Sequence, residues 1–320
     1  MDFESPNVVV PSVQELAKDP NVVTVPQRYI RYDQTQIQTN SSSVISSDQK
    51  IPVIDFQNLL LMSESDNSEL YESELNKLHS ACKEWGFFQL VNHGVSNSLV
   101  EKLKQGVEEL FKLPIEEKKK LWRKQGDKEG FGDPGVLTDE QILDWKDVLF
   151  LFTLPVALRN PHLFPNISPL LSKEISNLFE DGLQAMSIHC YPPCLQPEQV
   201  EGIAPHSDST GITFLLQLNQ VEGFQVKKDG MWVPVKPLPD AFIVNIGDLL
   251  EHRAIVNSTD ERMSIATFLN SNEDCEIGPS HSLITQQNPA IYKTMSSKDY
   301  IKSMFSREYN GKSHIDAFKL

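Results

Sequence analysis

The sequence predicts an α+β protein: a helical first half, then a β-sandwich or barrel for which a double-sheet jelly roll is one solution. Two observations carry this. Between residues 51 and 120, apolar side chains recur at steps of three and four, the period of one helix face. From about residue 184 the texture changes to short β-rich segments separated by turn residues, and helical character returns at 296–307.

The elements follow in order. Residues 10–31 contain Pro11, Pro20 and Pro26 and read as an N-terminal arm with a short helix at 12–17. Residues 33–50 are rich in Gln, Ser, Thr and Asn and read as an exposed linker. A short strand is expected at 51–56. Tyr71, Leu75, Leu78, Cys82 and Trp85 share one helix face, and Gly86 is a suitable stop. Residues 87–91 read as a buried strand closed by Asn92-His93-Gly94. A second helix has Ser96 as its N-cap and Leu99, Leu103, Val107 and Leu110 on one face, and Pro114 ends it. The charge run at 116–120 reads as the solvated face of a third helix, and 124–140 as a loop. Strands are expected at 212–218, 224–226, 232–235, 242–246, 254–256 and 263–268, with Lys228-Asp229-Gly230 as a hairpin turn. There is no internal repeat.

Composition narrows the function classes. The chain has 320 residues, 39% apolar, enough for one large domain or two modest ones. Asp and Glu number 44 against 29 Lys and Arg, a net charge of −15, which argues against a sequence-independent nucleic-acid binder. No apolar run approaches 18 residues, so no membrane span is expected. The acidic start, Met1-Asp2-Phe3-Glu4, is unlike a secretory leader. Four cysteines in a chain this long do not make a disulfide framework. A cytoplasmic, monomeric protein is the expectation.

One constellation carries chemistry. His206 and Asp208 are two apart, so on an extended segment both face one side. A third ligand must come from another strand, and His252 is the best candidate. Two imidazoles and a carboxylate can hold a non-haem iron with coordination positions left open, although zinc accepts the same ligand types. Arg262 and Ser264 are likewise two apart, and a guanidinium beside a hydroxyl suits an organic carboxylate. Tyr191, before Pro192-Pro193, adds a phenol. A dicarboxylate held this way would bring a 2-oxo acid end to the metal. Each piece alone is weak, since His-x-Asp and Arg-x-Ser often occur without a ligand; the ordered set is the signal. His79, His93, His162, His281 and His314 have no partner at ligand spacing and read as ordinary helix, turn and surface histidines. His189, Cys190, Cys194 and His206 can be drawn as a zinc site, but two prolines stiffen that loop and no second cysteine pair exists. A zinc hydrolase is disfavoured because no acid/base glutamate accompanies the triad at a recognisable spacing.

At these residues the chain resembles the plant iron(II)- and 2-oxoglutarate-dependent dioxygenases, and within them the norcoclaurine-synthase-like and senescence-related proteins and the opium-alkaloid O-demethylases. The resemblance is carried by Ala81-Cys-Lys-Glu-Trp-Gly-Phe-Phe-Gln-Leu-Val-Asn-His-Gly94, Tyr191-Pro-Pro-Cys194, Pro205-His-Ser-Asp-Ser209, Trp232-Val-Pro-Val-Lys-Pro-Leu-Pro239, Val244-Asn-Ile-Gly-Asp248 and Arg262-Met-Ser-Ile-Ala-Thr-Phe268. It implies a double-stranded β-helix (jelly-roll) catalytic domain with a helical N-terminal region and a C-terminal helix. It also implies iron(II) on His206, Asp208 and His252, 2-oxoglutarate on Arg262, Ser264 and Tyr191, and ascorbate as an accessory reductant. In the implied reaction one oxygen atom of dioxygen enters 2-oxoglutarate, giving succinate and carbon dioxide. The other oxidises a C–H bond of a small hydrophobic plant metabolite, by hydroxylation or by O-demethylation. The implied organisation is an arm and linker at 1–50, an N-terminal dioxygenase region at 51–157, a shortened helical connector at 158–182, the jelly-roll domain at 183–275 and a C-terminal helical segment at 276–320.

The chain departs from that pattern in three places. His189 stands where the family has an asparagine near the metal-bound end of 2-oxoglutarate. Only Leu249, Leu250 and Glu251 separate Gly247-Asp248 from His252, where relatives carry on the order of ten more residues, the size of a strand and turn. The stretch 165–184 has lost most of a helix that relatives pack on the barrel, which would expose an apolar face. A connection that short either delivers His252 to the metal or turns it to the opposite face. The alternative to an active oxygenase is therefore a catalytically impaired relative that only binds.

Overall fold

Two sheets account for most of the second half of the chain. The computed structural model describes residues 10–32, 50–61, 68–124, 127–133, 136, 138, 140–160, 163, 183–271, 275–280, 284–305 and 314–320. Residues 33–49 of the expected linker (33–50), and all of the expected connector (158–182) except 158–160 and 163, lie outside them. The strands are β1 (Val53–Asp55), β2 (Phe87–Val91), β3 (Gly130–Phe131), β4 (Asp147–Leu154), β5 (Leu183–Tyr191), β6 (Ile203–His206) and β7 (Ile212–Gln217). They continue with β8 (Phe224–Lys228), β9 (Met231–Pro234), β10 (Phe242–Ile246), β11 (His252–Ala254), β12 (Arg262–Asn270), β13 (Glu276–Ile277) and β14 (Met295–Ser296). The large sheet runs β1-β2-β10-β7-β12-β5-β4-β3, the small one β6-β11-β8-β9, and β13 pairs with β14. Apart from the parallel β1–β2 pair, the named ladders are antiparallel. This is the expected jelly roll.

Alternation along the strands separates two faces. Between the sheets lie Phe87, Leu215, Ile243 and Ala266 from the large sheet and Phe224 and Val226 from the small one. On the outer face, Leu149, Leu151, Met186, Ile188, Leu216 and Ile265 pack against helix α4 (Asn97–Lys112). That helix begins where Ser96 Oγ accepts the Leu99 amide at 3.3 Å, and it buries Val100, Leu103, Val107, Leu110 and Phe111. Each of these side chains contributes about 1.5–3 kcal/mol by leaving water, so the outer stripe is a principal stabiliser of the large sheet.

Several expectations hold closely. Helix α1 (Val13–Lys18) is capped by Ser12. The Lys228–Met231 hairpin turns through Asp229 (φ 51°) and Gly230 (φ 80°), the two positive values that a type I′ turn requires. Helix α6 (Ser297–Phe305) falls inside the expected 296–307. Other elements differ. The strand expected at 51–56 is shorter, because the Asp55 carboxylate accepts the Gln57 amide at 3.0 Å and starts helix α2 (Phe56–Leu60). Helix α3 (Ser68–Ser80) ends in a π-helical turn, Ala81–Trp85, before left-handed Gly86 (φ 61°). Helix α5 (Ile115–Lys119) is not solvated throughout: Lys118 is fully buried, and its Nζ donates to Gln14 Oε1 of the N-terminal arm at 2.7 Å. Strand β11 begins two residues before the expected 254. The shortened connector stretch at 164–182, beside which an apolar face is expected, falls outside the described residues; the strand that follows it, β5, is buried along all nine residues between β4, β12 and α4. His314 is buried, not superficial.

Candidate metal and 2-oxo-acid site

The two sheets bring His206, Asp208 and His252 together. His206 ends β6 and His252 begins β11, and the antiparallel β6–β11 ladder sets them directly opposite each other. Asp208 follows two residues after His206. One potential ligand atom from each lies within 4.8 Å of the others, the one such group of three or more among the described residues. Asp208 Oδ1 is 3.6 Å from His206 Nε2 and 3.5 Å from His252 Nε2. The neighbouring atoms are already assigned. Thr213 Oγ1 and Asn245 Nδ2 donate to Asp208 Oδ2 at 2.6 and 2.9 Å. His206 Nδ1 hydrogen-bonds the Ala204 carbonyl at 2.8 Å. His252 is held by the rings of Phe87 and Phe224, with centroids at 5.4 and 5.5 Å. The two Nε2 atoms and one carboxylate oxygen thus converge, each oriented by a second partner on its other side, as metal ligands are.

The electrostatics fit a cation. Burial lowers the His206 pKa to about 4, with the His252 imidazole adding to the effect, so its ring is neutral and its lone pair available. Burial works to raise the Asp208 pKa, but His252, His206 and the Thr213 hydroxyl outweigh it and hold the carboxyl ionised, below the usual carboxylate range.

A second group lines the inner face of the large sheet. Register sets Tyr191 opposite Arg262 and His189 opposite Ser264, and Ser264 opposite Gln217 on the other side. Arg262 Nε and Nη2 donate to Gln217 Oε1 at 3.2 and 3.0 Å, and Nη1 lies 3.4 Å from Ser264 Oγ. The guanidinium sits over the Tyr191 ring, 5.1 Å from its centroid. Arg262 is 2% exposed, and no carboxylate among the described residues pairs with it. A buried guanidinium whose protein partners are all neutral is a costly arrangement until an anion joins it. Arg262, Ser264 and Tyr191 therefore fit the distal carboxylate of a dicarboxylate, and the triad fits a divalent metal.

The structure thus gathers every residue singled out from the sequence into these two groups. It also adds some. Gln217, Thr213 and Asn245 orient them, and the signal for Asn245 was a polar residue inside an apolar strand. His189 is buried and stacked on Tyr191, with centroids 5.8 Å apart, and its Nδ1 has no partner. It lies outside the compact ligand group. Burial, and then the Lys146 ammonium, push its pKa well below the usual value, so it is a neutral imidazole beside Tyr191 and opposite Ser264. The zinc arrangement with Cys190 and Cys194 is not formed among the described residues.

Comparison with known proteins gives the same picture. Residues 51–169 match the family described as non-haem dioxygenase in morphine synthesis, N-terminal, and residues 182–271 match the 2OG-Fe(II) oxygenase superfamily. The chain is 43% identical to Protein SRG1 of Arabidopsis thaliana, covering 98% of this chain and 97% of the relative. It is 44% identical to codeine O-demethylase of Papaver somniferum, covering 97% and 96%. It is 43% identical to oxoglutarate-dependent flavonoid 7-O-demethylase 1 of Ocimum basilicum, covering 97% and 91%. The SRG1 alignment runs over 356 positions against a chain of 320 residues, so that relative carries segments this chain lacks. A crystal structure of JOX2 in complex with 2OG, Fe and JA superposes with a TM-score of 0.80 at 30% identity, covering 98% of both chains.

Proposed function

We propose that this chain, which belongs to the 2-oxoglutarate- and iron(II)-dependent oxygenase superfamily, hydroxylates or O-demethylates a small hydrophobic plant metabolite of alkaloid or flavonoid type. His206, Asp208 and His252 hold the iron, and Arg262, Ser264 and Tyr191 hold 2-oxoglutarate. Bound iron would supply the place where dioxygen is activated at the expense of the 2-oxo acid. The protein's part is to bind, orient and exclude water. Asp208 offsets part of the metal's charge, and its Thr213 and Asn245 partners fix which oxygen faces inward. Arg262 anchors the far carboxylate of the co-substrate and so sets its reach towards the triad.

The observation that carries this reading is the buried Arg262, which has no carboxylate partner among the described residues and lies on the same inner face as Ser264. The substrate class is supported by the names of two relatives, a codeine and a flavonoid O-demethylase. The acidic charge of −15 supports a small-molecule rather than a nucleic-acid partner, and a monomer in the cytoplasm completes the proposal. Among the described residues no helix is long and apolar enough to cross a membrane.

The test has two steps. Anaerobic titration with iron(II) is expected to give stoichiometric binding. Addition of oxygen, 2-oxoglutarate and a panel of methoxylated alkaloids and flavonoids is then expected to yield succinate, with formaldehyde when a methyl ether is cleaved. A chain that binds iron and 2-oxoglutarate yet forms no succinate with any substrate would establish the second reading, a binding-only relative. That reading is favoured by the buried imidazole of His189 opposite Ser264.

A further inference from the structure

The metal-bearing loop is tied to the C-terminal segment through one carboxylate. Ser207 lies between His206 and Asp208, and its Oγ donates to Asp248 Oδ1. The Ile315 amide donates to Asp248 Oδ2. Asp248 is 9% exposed, so this carboxylate bridges two donors in a largely dry environment. The chain around it is pressed onto the same loop. Gly247 N donates to the Gly211 carbonyl at 3.0 Å, and a Cβ on Gly247 would lie 2.5 Å from the Thr210 carbonyl. Only a glycine lets the backbone approach so closely, and its φ of +33° adds to that requirement.

The C-terminal segment is itself anchored. The Lys293 amide donates to the Phe318 carbonyl and the Leu320 amide to the Ile291 carbonyl, both at 2.9 Å. The buried His314 shares a hydrogen bond with Ser303 Oγ of α6 at 2.9 Å. Its ring packs against Tyr300 and Phe318, with centroids at 4.9 and 5.2 Å. Residues 314–320 therefore form a seated cap, and the Asp248 carboxylate joins that cap to the loop carrying two of the three candidate ligands.

We propose that Asp248 is a positioning residue for the metal: with the C-terminal segment seated, it fixes the Ser207 hydroxyl and through it the separation and aim of His206 and Asp208. The inference rests on iron at the triad. Groups that orient metal ligands from behind change metal affinity on the order of 10- to 100-fold when removed. Charge-assisted bonds to a buried carboxylate belong among the stronger ones.

The experiment is an anaerobic iron(II) titration of the full chain and of four variants: Ser207→Ala, Asp248→Ala, a chain ending before residue 314, and Asp248→Ala in that shortened chain. Thermal unfolding without metal is measured alongside. Wild type that binds no iron refutes the metal reading itself. Given iron binding by wild type, each single change is expected to weaken affinity about tenfold or more. Asp248→Ala is expected to cost nothing further once the C-terminal segment is gone, because both changes break one linkage. Ser207→Ala removes a single hydroxyl and leaves the fold intact, so unchanged iron affinity in that variant overturns the proposal even if the others fail to fold. Additive losses from Asp248→Ala and the shortening also overturn it.

Discussion

Replacing Arg262 by glutamine separates a binding role from a structural one. Without co-substrate, Arg262 is a buried cation with Gln217 Oε1, Ser264 Oγ and the Tyr191 ring as neutral partners. Its desolvation costs several kcal/mol. Against that stand a charged hydrogen-bond interaction of about 1.5–3 kcal/mol and a cation–π contact of about 0.5–2 kcal/mol. The two sides are of similar size, so the stability of the unliganded variant should stay within about 1 kcal/mol of wild type. With 2-oxoglutarate the outcome differs. Losing a charge-assisted contact worth about 1.5–3 kcal/mol raises Kd about 10- to 150-fold. At a co-substrate concentration 100 times the wild-type Kd, wild type gains ~2.7 kcal/mol of stability. A variant weakened about 100-fold gains only ~0.4 kcal/mol. The assay is denaturant unfolding of the anaerobic iron(II) form, with and without 2-oxoglutarate. An Arg262→Gln protein that is strongly destabilised without co-substrate yet keeps the full 2-oxoglutarate gain would refute the assignment.

Two further outcomes are expected. His189→Leu removes a buried ring nitrogen that has no partner, so the unliganded protein should gain about 1 kcal/mol in denaturant unfolding; its 2-oxoglutarate Kd should rise a few-fold while His189→Asn keeps affinity, and equal affinities in all three proteins would remove His189 from the co-substrate site. The His206 pKa in the folded protein, about 4, lies below the ordinary value of 6.5, so between those limits the unfolded chain binds the extra proton. Stability of the metal-free protein therefore falls as pH drops from 6.5 towards 4, and the slope of unfolding free energy against pH over that window should be shallower in His206→Gln than in wild type.

How legible the molecule was in its sequence depended on whether a segment has one wet face. Helix α4 and the β8–β9 hairpin do, and their apolar period and turn residues located them. Strand β5 is buried along all nine residues between two strands and under a helix, so it shows no alternation; the change of texture near 184 marks its start, but neither it nor β4 is among the expected strands. Lys118 was misplaced because a charge run normally faces water. Its inward turn depends on Gln14, 104 residues away, and on the nearby Asp147 carboxylate. The site was legible to the extent that i, i+2 spacing on a strand is local. His206 with Asp208 and Arg262 with Ser264 follow from that alone. Gln217 and Asn245 reach Arg262 and Asp208 from other strands, 45 and 37 residues away in the sequence, which no local spacing reveals.

The shortened approach to His252 shows which interactions place a candidate ligand. Only five residues, Gly247 to Glu251, lead from β10 to β11. If that connection aimed His252, losing part of it would turn the ring away. Instead β11 is clasped on both sides: His252 pairs with His206 across β6 and with Val226 across β8, and Ala254 pairs with Ile203 and Phe224. The Lys227 amide also donates to the Glu251 carbonyl at 2.8 Å, extending the β8 pairing one residue before the strand. A one-residue slip would break both ladders at once and turn the His252 ring away from Phe87 and Phe224, against which it now packs. Register is thus set by the neighbouring strands, and the connection only has to span the distance. Along that span Gly247 and Asp248 lie against the Ser207–Gly211 loop, where the Asp248 carboxylate meets the C-terminal segment.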